Sequence, residues 1–318
     1  MKLAPGIRTF GLLFRLVPSI SQMTPRQLAA RQAPASPRRK AILRGITGRR
    51  HGQIAAFDRV IVGPQGDITV RVYVPETVAI GFRPVIVNFH GGGWVFGDLD
   101  GGDWLCSEVA QGADAVVVSV DYRLAPGHPF PQGLEDCYAA LVWAGENAAA
   151  FGGDSHRLGV MGESAGGNLA ASICLLSRER SGPTIRHQTL VYPVTDAARD
   201  TESYRANANA VILTSADMAA FLDHYVPPGI DRSDWRISPL NAPDHVGLPA
   251  AFVAVAAHDP LRDDGISYAK ALEQSSVPVN LVEYSAMPHG FLNFPYFSRD
   301  AKRAMRAMTE AQRLALHS

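Results

Sequence analysis

Past Phe57 the chain alternates between short apolar runs and longer stretches in which apolar residues recur every three or four positions. The runs "RVIVG" (59–63) and "ITVRVYV" (68–74) flank the turn "PQGD" and predict a β-hairpin. Continuous apolar runs follow at 85–89, 115–120, 158–161, 189–192, 251–256 and 280–284, as in strands buried on both faces. Helical periodicity predicts helices at 133–149, 165–180, 264–275 and 298–316. Strands alternating with helices imply an α/β fold: a mostly parallel sheet of about eight strands with helices on both faces. Residues 197–248 break the rhythm, because they contain no convincing strand. Thr214 and Asp217 have the spacing of a capping box for a helix ending before Pro227 and Pro228. An excursion this long suits a lid over a binding face. Residues 31–53, rich in Ala, Pro, Arg and Gly, read as an irregular arm.

Composition narrows the picture. At 318 residues with 47% hydrophobic and 19% charged, the chain is ordinary globular material, read here as a single domain over 1–318. Net charge is zero, which argues against a general nucleic-acid binder. Yet the first 57 residues hold eleven of the 30 basic residues and none of the 30 acidic ones, so they carry +11 and the remainder −11. The favoured reading is a basic segment packed on an acidic body; peripheral contact with an anionic membrane is the alternative. The stretch "IRTFGLLFRLVPSI" (7–20) is interrupted by Arg15 and lacks a clear cleavage site, so it is read as mature protein. As a helix it would carry Arg8 and Arg15 on one face, with Phe10, Leu13, Phe14 and Val17 mostly elsewhere. Cys106, Cys137 and Cys174 show no metal or redox spacing; buried thiols in a cytoplasmic protein are expected, with no metal site.

Ligands of open α/β sheets sit beyond the carboxyl ends of the strands, so the residues just past each run were compared. Past 158–161 comes Gly162-Glu163-Ser164-Ala165-Gly166. G-x-S-x-G between a strand and a helix lifts a serine hydroxyl clear of the sheet on a strained turn. Serine needs a base, and the base needs a carboxylate to hold its tautomer. His289 follows the last strand in a short loop with Gly290. His187, His224, His245, His258 and His317 lie before a strand, in the excursion, beside the candidate acid, or at the terminus. Asp259 follows its strand with Pro260 fixing the turn, whereas Asp263 and Asp264 are read as favourable charge at the next helix start. Glu163 is read as a structural carboxylate bonded to backbone or Arg. Past 85–89, His90-Gly91-Gly92-Gly93-Trp94 offers bare backbone N–H groups to a substrate oxygen, with His90 orienting the loop.

In these residues the chain closely resembles the bacterial hormone-sensitive-lipase-like (family IV) esterases of the α/β-hydrolase superfamily. The blocks "HGGGWVFGDLD", "DYRLAPGHPFP", "GESAGGNLA", "YPVTD", "DPLRDDG" and "HGF" occur in order from about residue 57 onward. The resemblance implies an α/β-hydrolase fold with Ser164 as nucleophile, His289 as base and Asp259 as its partner. It also implies an oxyanion hole from the N–H groups of Gly91, Gly92, Gly93 and Ala165, and a helical cap from about 1–50 and 197–240. The family more often has Asp or Thr where Glu163 stands, and Glu where Gly127 and Asp264 stand. Trp94, Phe96 and Phe291 are expected to line the substrate pocket. The implied activity is a serine carboxylesterase acting on small-molecule esters of short to medium chain, without cofactor. An amidase or peptidase on the same triad, or a non-catalytic ligand binder, are the rivals; homodimer formation stays open.

Overall fold

Eight strands form one sheet in the order β1-β2-β4-β3-β5-β6-β7-β8. They are β1 (Ile54–Gly63), β2 (Gly66–Pro75), β3 (Arg83–Phe89), β4 (Val116–Asp121), β5 (Gly153–Glu163), β6 (Ile185–Val191), β7 (Ala250–His258) and β8 (Val279–Pro288). The expected hairpin is present, with Gly63 paired to Gly66 across Pro64 and Gln65. β1 and β2 run antiparallel to their neighbours, and every other pairing is parallel. The computed structural model describes residues 3–7, 11, 18–33 and 36–318.

The alternation of side chains along each strand divides the interior into two cores. Val85, Val87 and Phe89 of β3 and Val116, Val118 and Val120 of β4 face one core. Helices α4 (Gln132–Asn147), α5 (Ala165–Glu179) and α8 (Arg262–Gln274) cover that face. Ile86 and Val117 face the opposite core, beneath α3 (Asp103–Ala113) and α9 (Arg299–His317). Burial on both faces explains why the parallel strands read as unbroken apolar runs.

Two expectations are corrected. Residues 31–53 are not irregular throughout: α1 (Pro25–Gln32) runs into them and α2 (Pro37–Thr47) lies within them. Proline at the first position of a helix is tolerated, because its missing N–H would have had no intrahelical partner. Helix α3 also escaped the periodicity reading. Eight of its eleven residues are buried, and the other three, Glu108, Gln111 and Gly112, share one face at helical spacing. Residues 197–248 contain no strand, as expected, and hold α6 (Glu202–Ala206) and α7 (Ser215–Tyr225). Thr214 and Asp217 form the capping box of α7. The expected basic helix around Arg8 and Arg15 falls largely outside the described residues. Among the described residues no helix is long and apolar enough to cross a membrane.

Both candidate cap segments touch the loop after β3. The Gln32 side-chain amide donates to the Val95 and Ala125 carbonyls at 2.9 and 2.8 Å. Arg31 lies 5.1 Å from the Phe96 ring centroid. Phe221 of α7 packs edge-on to Phe96, and Tyr225 stacks on Trp94 at 4.5 Å. The Ser19 hydroxyl donates to the Asp217 carboxylate, joining the arm to α7.

Candidate active site

The elbow at the end of β5 is where backbone geometry is most constrained. Ser164 has φ 57° and ψ −120°, outside the regions a side chain readily accepts. Such strain persists only where the surroundings over-determine it. Here the Ser164 N–H donates to the Val191 carbonyl at 2.9 Å, and α5 begins at the next residue. Helix and strand approach so closely that a Cβ on Gly166 would sit 1.9 Å from the Phe89 carbonyl oxygen. A Cβ on Gly162 would meet the Gly166 carbonyl oxygen at 2.1 Å. The two flanking glycines of G-x-S-x-G are therefore steric requirements of the turn.

His289 reaches this serine from the loop after β8. Its Nε2 lies 2.9 Å from Ser164 Oγ, and its Nδ1 lies 2.7 Å from Asp259 Oδ2. With the carboxylate ionised, Nδ1 donates to it and Nε2 turns its lone pair toward the serine hydroxyl. Asp259 is fully buried, and its other oxygen accepts the Leu261 N–H at 2.9 Å. His258 lies at a separate recess of about 280 Å³, lined also by Leu3 and residues 205–211, that contains none of the candidate residues.

The glycine-rich loop after β3 completes the arrangement. The N–H groups of Gly91, Gly92, Gly93 and Ala165 meet no acceptor among the described residues. Gly91 lies against Glu163, where a Cβ on the glycine would sit 3.3 Å from the Glu163 Cγ. Positive φ at Gly92 (116°) and Gly93 (63°) coils this loop; the Gly92 carbonyl accepts from the Val95 and Phe96 N–H groups. His90 orients the loop as expected. Its Nδ1 bonds the Gly91 carbonyl at 2.8 Å, its ring stacks on Tyr122 at 4.2 Å, and burial keeps it below the ordinary imidazole range.

The expected pocket lining needs a correction. Phe96 is half-buried beside Phe221 and Arg31. Trp94 and Phe291 are at most 1% exposed, and each sits within a core cluster. Trp94 has φ 60°, and its ring stacks on Tyr225. Phe291 packs against Tyr192 and Tyr284. Proximity along the chain to a reactive loop did not put these two rings on its open side.

Three further residues meet the site without having been assigned a role from the sequence. Tyr192 follows β6, and its ring lies 4.7 Å from the His289 imidazole. Asn293 follows the His289 loop and donates to Glu163. Phe221 lies so close to Gly93 that a Cβ there would fall 2.1 Å from the ring. Tyr192 was in view within "YPVTD", past a strand end; no local pattern marks Asn293 or Phe221. Asp264 is more than helix-end charge. Its buried carboxylate accepts the Thr195 and Asp196 N–H groups at 3.1 and 3.2 Å, and burial holds it well above the usual carboxylate range.

A family profile described as alpha/beta hydrolase fold matches residues 86–293. The chain is 47% identical over 256 residues to a carboxylesterase, NlhH, of Mycobacterium tuberculosis, covering 79% of this chain and 80% of that one. It is 36% identical to an ethyl acetate hydrolase of Pseudomonas putida, over 77% of each chain. Among solved structures, an ester hydrolase from the metagenome of Lake Arreo, complexed with a bipyridine phosphonate derivative, superposes with a TM-score of 0.91. That match has 32% identity and covers 99% of this chain and 100% of the other.

Proposed function

The chain belongs to the α/β-hydrolase family, in its hormone-sensitive-lipase-like branch, and is a carboxylic ester hydrolase; from that premise we propose that Ser164, His289 and Asp259 are its catalytic triad. The observation that carries this reading is the unbroken chain Ser164 Oγ–His289 Nε2–Nδ1–Asp259, at 2.9 and 2.7 Å, built on a strained serine.

In the proposed cycle Ser164 Oγ bonds to the ester carbonyl carbon while His289 Nε2 takes its proton. The carbonyl π electrons move onto oxygen, and the N–H groups of Gly92, Gly93 and Ala165 stabilise that charge. Each such donor contributes about 3 kcal/mol to a developing oxyanion. The intermediate collapses, the C–O bond to the alcohol breaks, and the imidazolium protonates the leaving oxygen. Water then attacks the acyl-enzyme with His289 as base, and Ser164 is released protonated. No metal or organic cofactor enters the scheme.

The proposed substrates are small esters of short to medium acyl chain, held beneath a cap made by residues of about 1–50 and 197–240. Phe96, Phe221 and Arg31 crowd the loop beside Gly93, which supports a narrow acyl site. The name of the ethyl acetate hydrolase relative points the same way. Turnover of a p-nitrophenyl ester series from acetate upward, with a fluorophosphonate label mapped by mass spectrometry, tests both parts. The expected result is a label on Ser164 and a rate maximum at short chains. A label elsewhere overturns the triad, and rates rising steadily to long chains overturn the substrate class.

A further inference from the structure

The reaction scheme leaves unused a half-buried carboxylate directly beside the nucleophile. Glu163 ends β5 directly before Ser164. Its Oε2 accepts the Tyr192 hydroxyl and the Asn293 side-chain amide, each at 2.7 Å. Gly91 packs against the same side chain, where a Cβ would lie 3.3 Å from the Glu163 Cγ. These three contacts come from three different loops. Gly91 begins the loop that carries Gly92 and Gly93. Tyr192 lies past β6 with its ring against His289, and Asn293 lies in the single turn Phe291–Asn293 after His289. Among the described residues no arginine takes part, although arginine was one of the partners expected from the sequence.

We propose that Glu163 is a positioning residue that fixes the oxyanion loop and the histidine loop around Ser164, acting through its hydrogen bonds to Asn293 and Tyr192 and its packing on Gly91. The proposal rests on the triad reading above. Its physical basis is that donors from two different loops converge on one carboxylate oxygen, and an ionised carboxylate holds both as charge-assisted hydrogen bonds. An amide oxygen in its place can accept from the same two donors, but as neutral hydrogen bonds about half as strong. Aspartate, one methylene shorter, keeps the charge but cannot keep every contact. Burial works against the ionised form and raises the carboxyl above its ordinary value, while the Tyr192 and Asn293 bonds oppose that rise. Tyr192 itself has φ 37°, a conformation that needs outside restraint, and its bond to Glu163 is one such restraint.

The test measures kcat and KM per active site, counted by fluorophosphonate titration so that unfolded molecules do not enter. The variants are Glu163→Gln, Glu163→Asp, Asn293→Ala, Tyr192→Phe and the double variant Glu163→Gln with Asn293→Ala. Glu163→Gln is expected to lower kcat about 10- to 100-fold, the scale of a misplaced reacting group, with KM within about threefold. Glu163→Asp should recover part of that loss. Asn293→Ala and Tyr192→Phe should each lower kcat by about three- to tenfold, and the double variant should match Glu163→Gln alone. A kcat within twofold of wild type in Glu163→Gln overturns the proposal. So does a rise in KM at constant kcat, or losses in the double variant that simply multiply. If Glu163→Gln yields no titratable sites, unaltered kcat in both Asn293→Ala and Tyr192→Phe overturns it instead. Failure of wild-type Ser164 to label strikes the triad reading and not this one.

Discussion

The two sides of the site are held by different means. On the sheet side, Ser164, Asp259, His289 and the glycine loop ride on strand ends, and backbone geometry dictates their positions. The elbow tolerates no Cβ at Gly166, and Ser164 is held at positive φ by the strand and helix that bracket it. On the cover side, the arm and residues 197–240 are attached largely through side chains: Ser19 to Asp217, Gln32 to two carbonyls, Arg31 and Phe221 to Phe96, Tyr225 to Trp94, with single backbone bonds from Ala4 to Ala286, Phe130 to Tyr225 and Leu240 to Thr195. Backbone-held geometry changes all at once or not at all, because packed interiors resist partial adjustment. Side-chain contacts can be exchanged singly, each at modest cost. The chemistry therefore sits where substitution is least tolerated, and the candidate determinants of substrate size sit where it is most tolerated.

The sharpest way to probe the sheet side is the carboxylate behind the base. Asp259→Asn keeps size and shape, but its amide presents N–H to His289 Nδ1 and favours the wrong tautomer. Turnover is expected to fall about 10⁴-fold while the fold stays intact. A loss below tenfold, measured by kcat with near-ultraviolet circular dichroism as the fold control, breaks the claim that this side carries the chemistry. Gly166→Ala attacks the backbone instead. Its Cβ would overlap the Phe89 carbonyl oxygen, so strand and helix must separate. A destabilisation of roughly 3 kcal/mol is expected, read from the midpoint of urea unfolding. An unshifted midpoint would mean that the elbow yields, and that the two sides differ less than the contact geometry implies.

The sheet side was also the legible side. Buried parallel strands announce themselves as apolar runs, and the elbow, glycine loop, acid and base each follow one. The exception is the bracing of Glu163 by Tyr192 and Asn293, contacts between residues distant in the chain that no spacing encodes. The cover was harder to read because its contacts are individual. Helix α2 hid behind a Pro- and Arg-rich composition, although Ser36-Pro37 is an ordinary way for a helix to start. Helix α3 carries a readable signal, since Asp103, Ser107, Glu108 and Gln111 recur at helical spacing along one face. Trp94 misled because positive φ turns its ring onto Tyr225.

The cover side should respond in selectivity before it responds in rate. Phe221 packs on Gly93 and edge-on to Phe96 at 6.0 Å, beside the proposed oxyanion donors. Phe221→Ala removes that wall. The ratio of kcat/KM for hexanoate over acetate esters is expected to rise about tenfold, the scale of accommodating extra methylenes. An unchanged ratio places the size limit elsewhere.

The smallest effect is expected at Gln32, which also tests the comparison most finely. Its amide is the point where the arm meets the loop carrying the proposed oxyanion donors, through the Val95 carbonyl, and it spans to Ala125 beyond. Ala125 in turn donates its N–H to the Trp94 carbonyl at 2.9 Å, so Gln32 bonds both segments that this backbone bond joins. Gln32→Ala removes two half-buried hydrogen bonds, each contributing about 1 kcal/mol, and leaves carbonyls that water can reach. The loop retains its own restraints: the Gly92 carbonyl accepts from Val95 and Phe96, and the Tyr122 hydroxyl donates to the His90 carbonyl at 2.7 Å. The arm should therefore loosen while the loop keeps its shape. The expected outcome is a loss in kcat/KM on soluble esters of about two- to fivefold, mostly in KM, with faster amide hydrogen exchange across α1 and not across residues 90–97. A kcat loss as large as that of Asp259→Asn would show that the arm helps hold the reacting geometry, and the division between a backbone-held chemistry and a side-chain-held cover would fail.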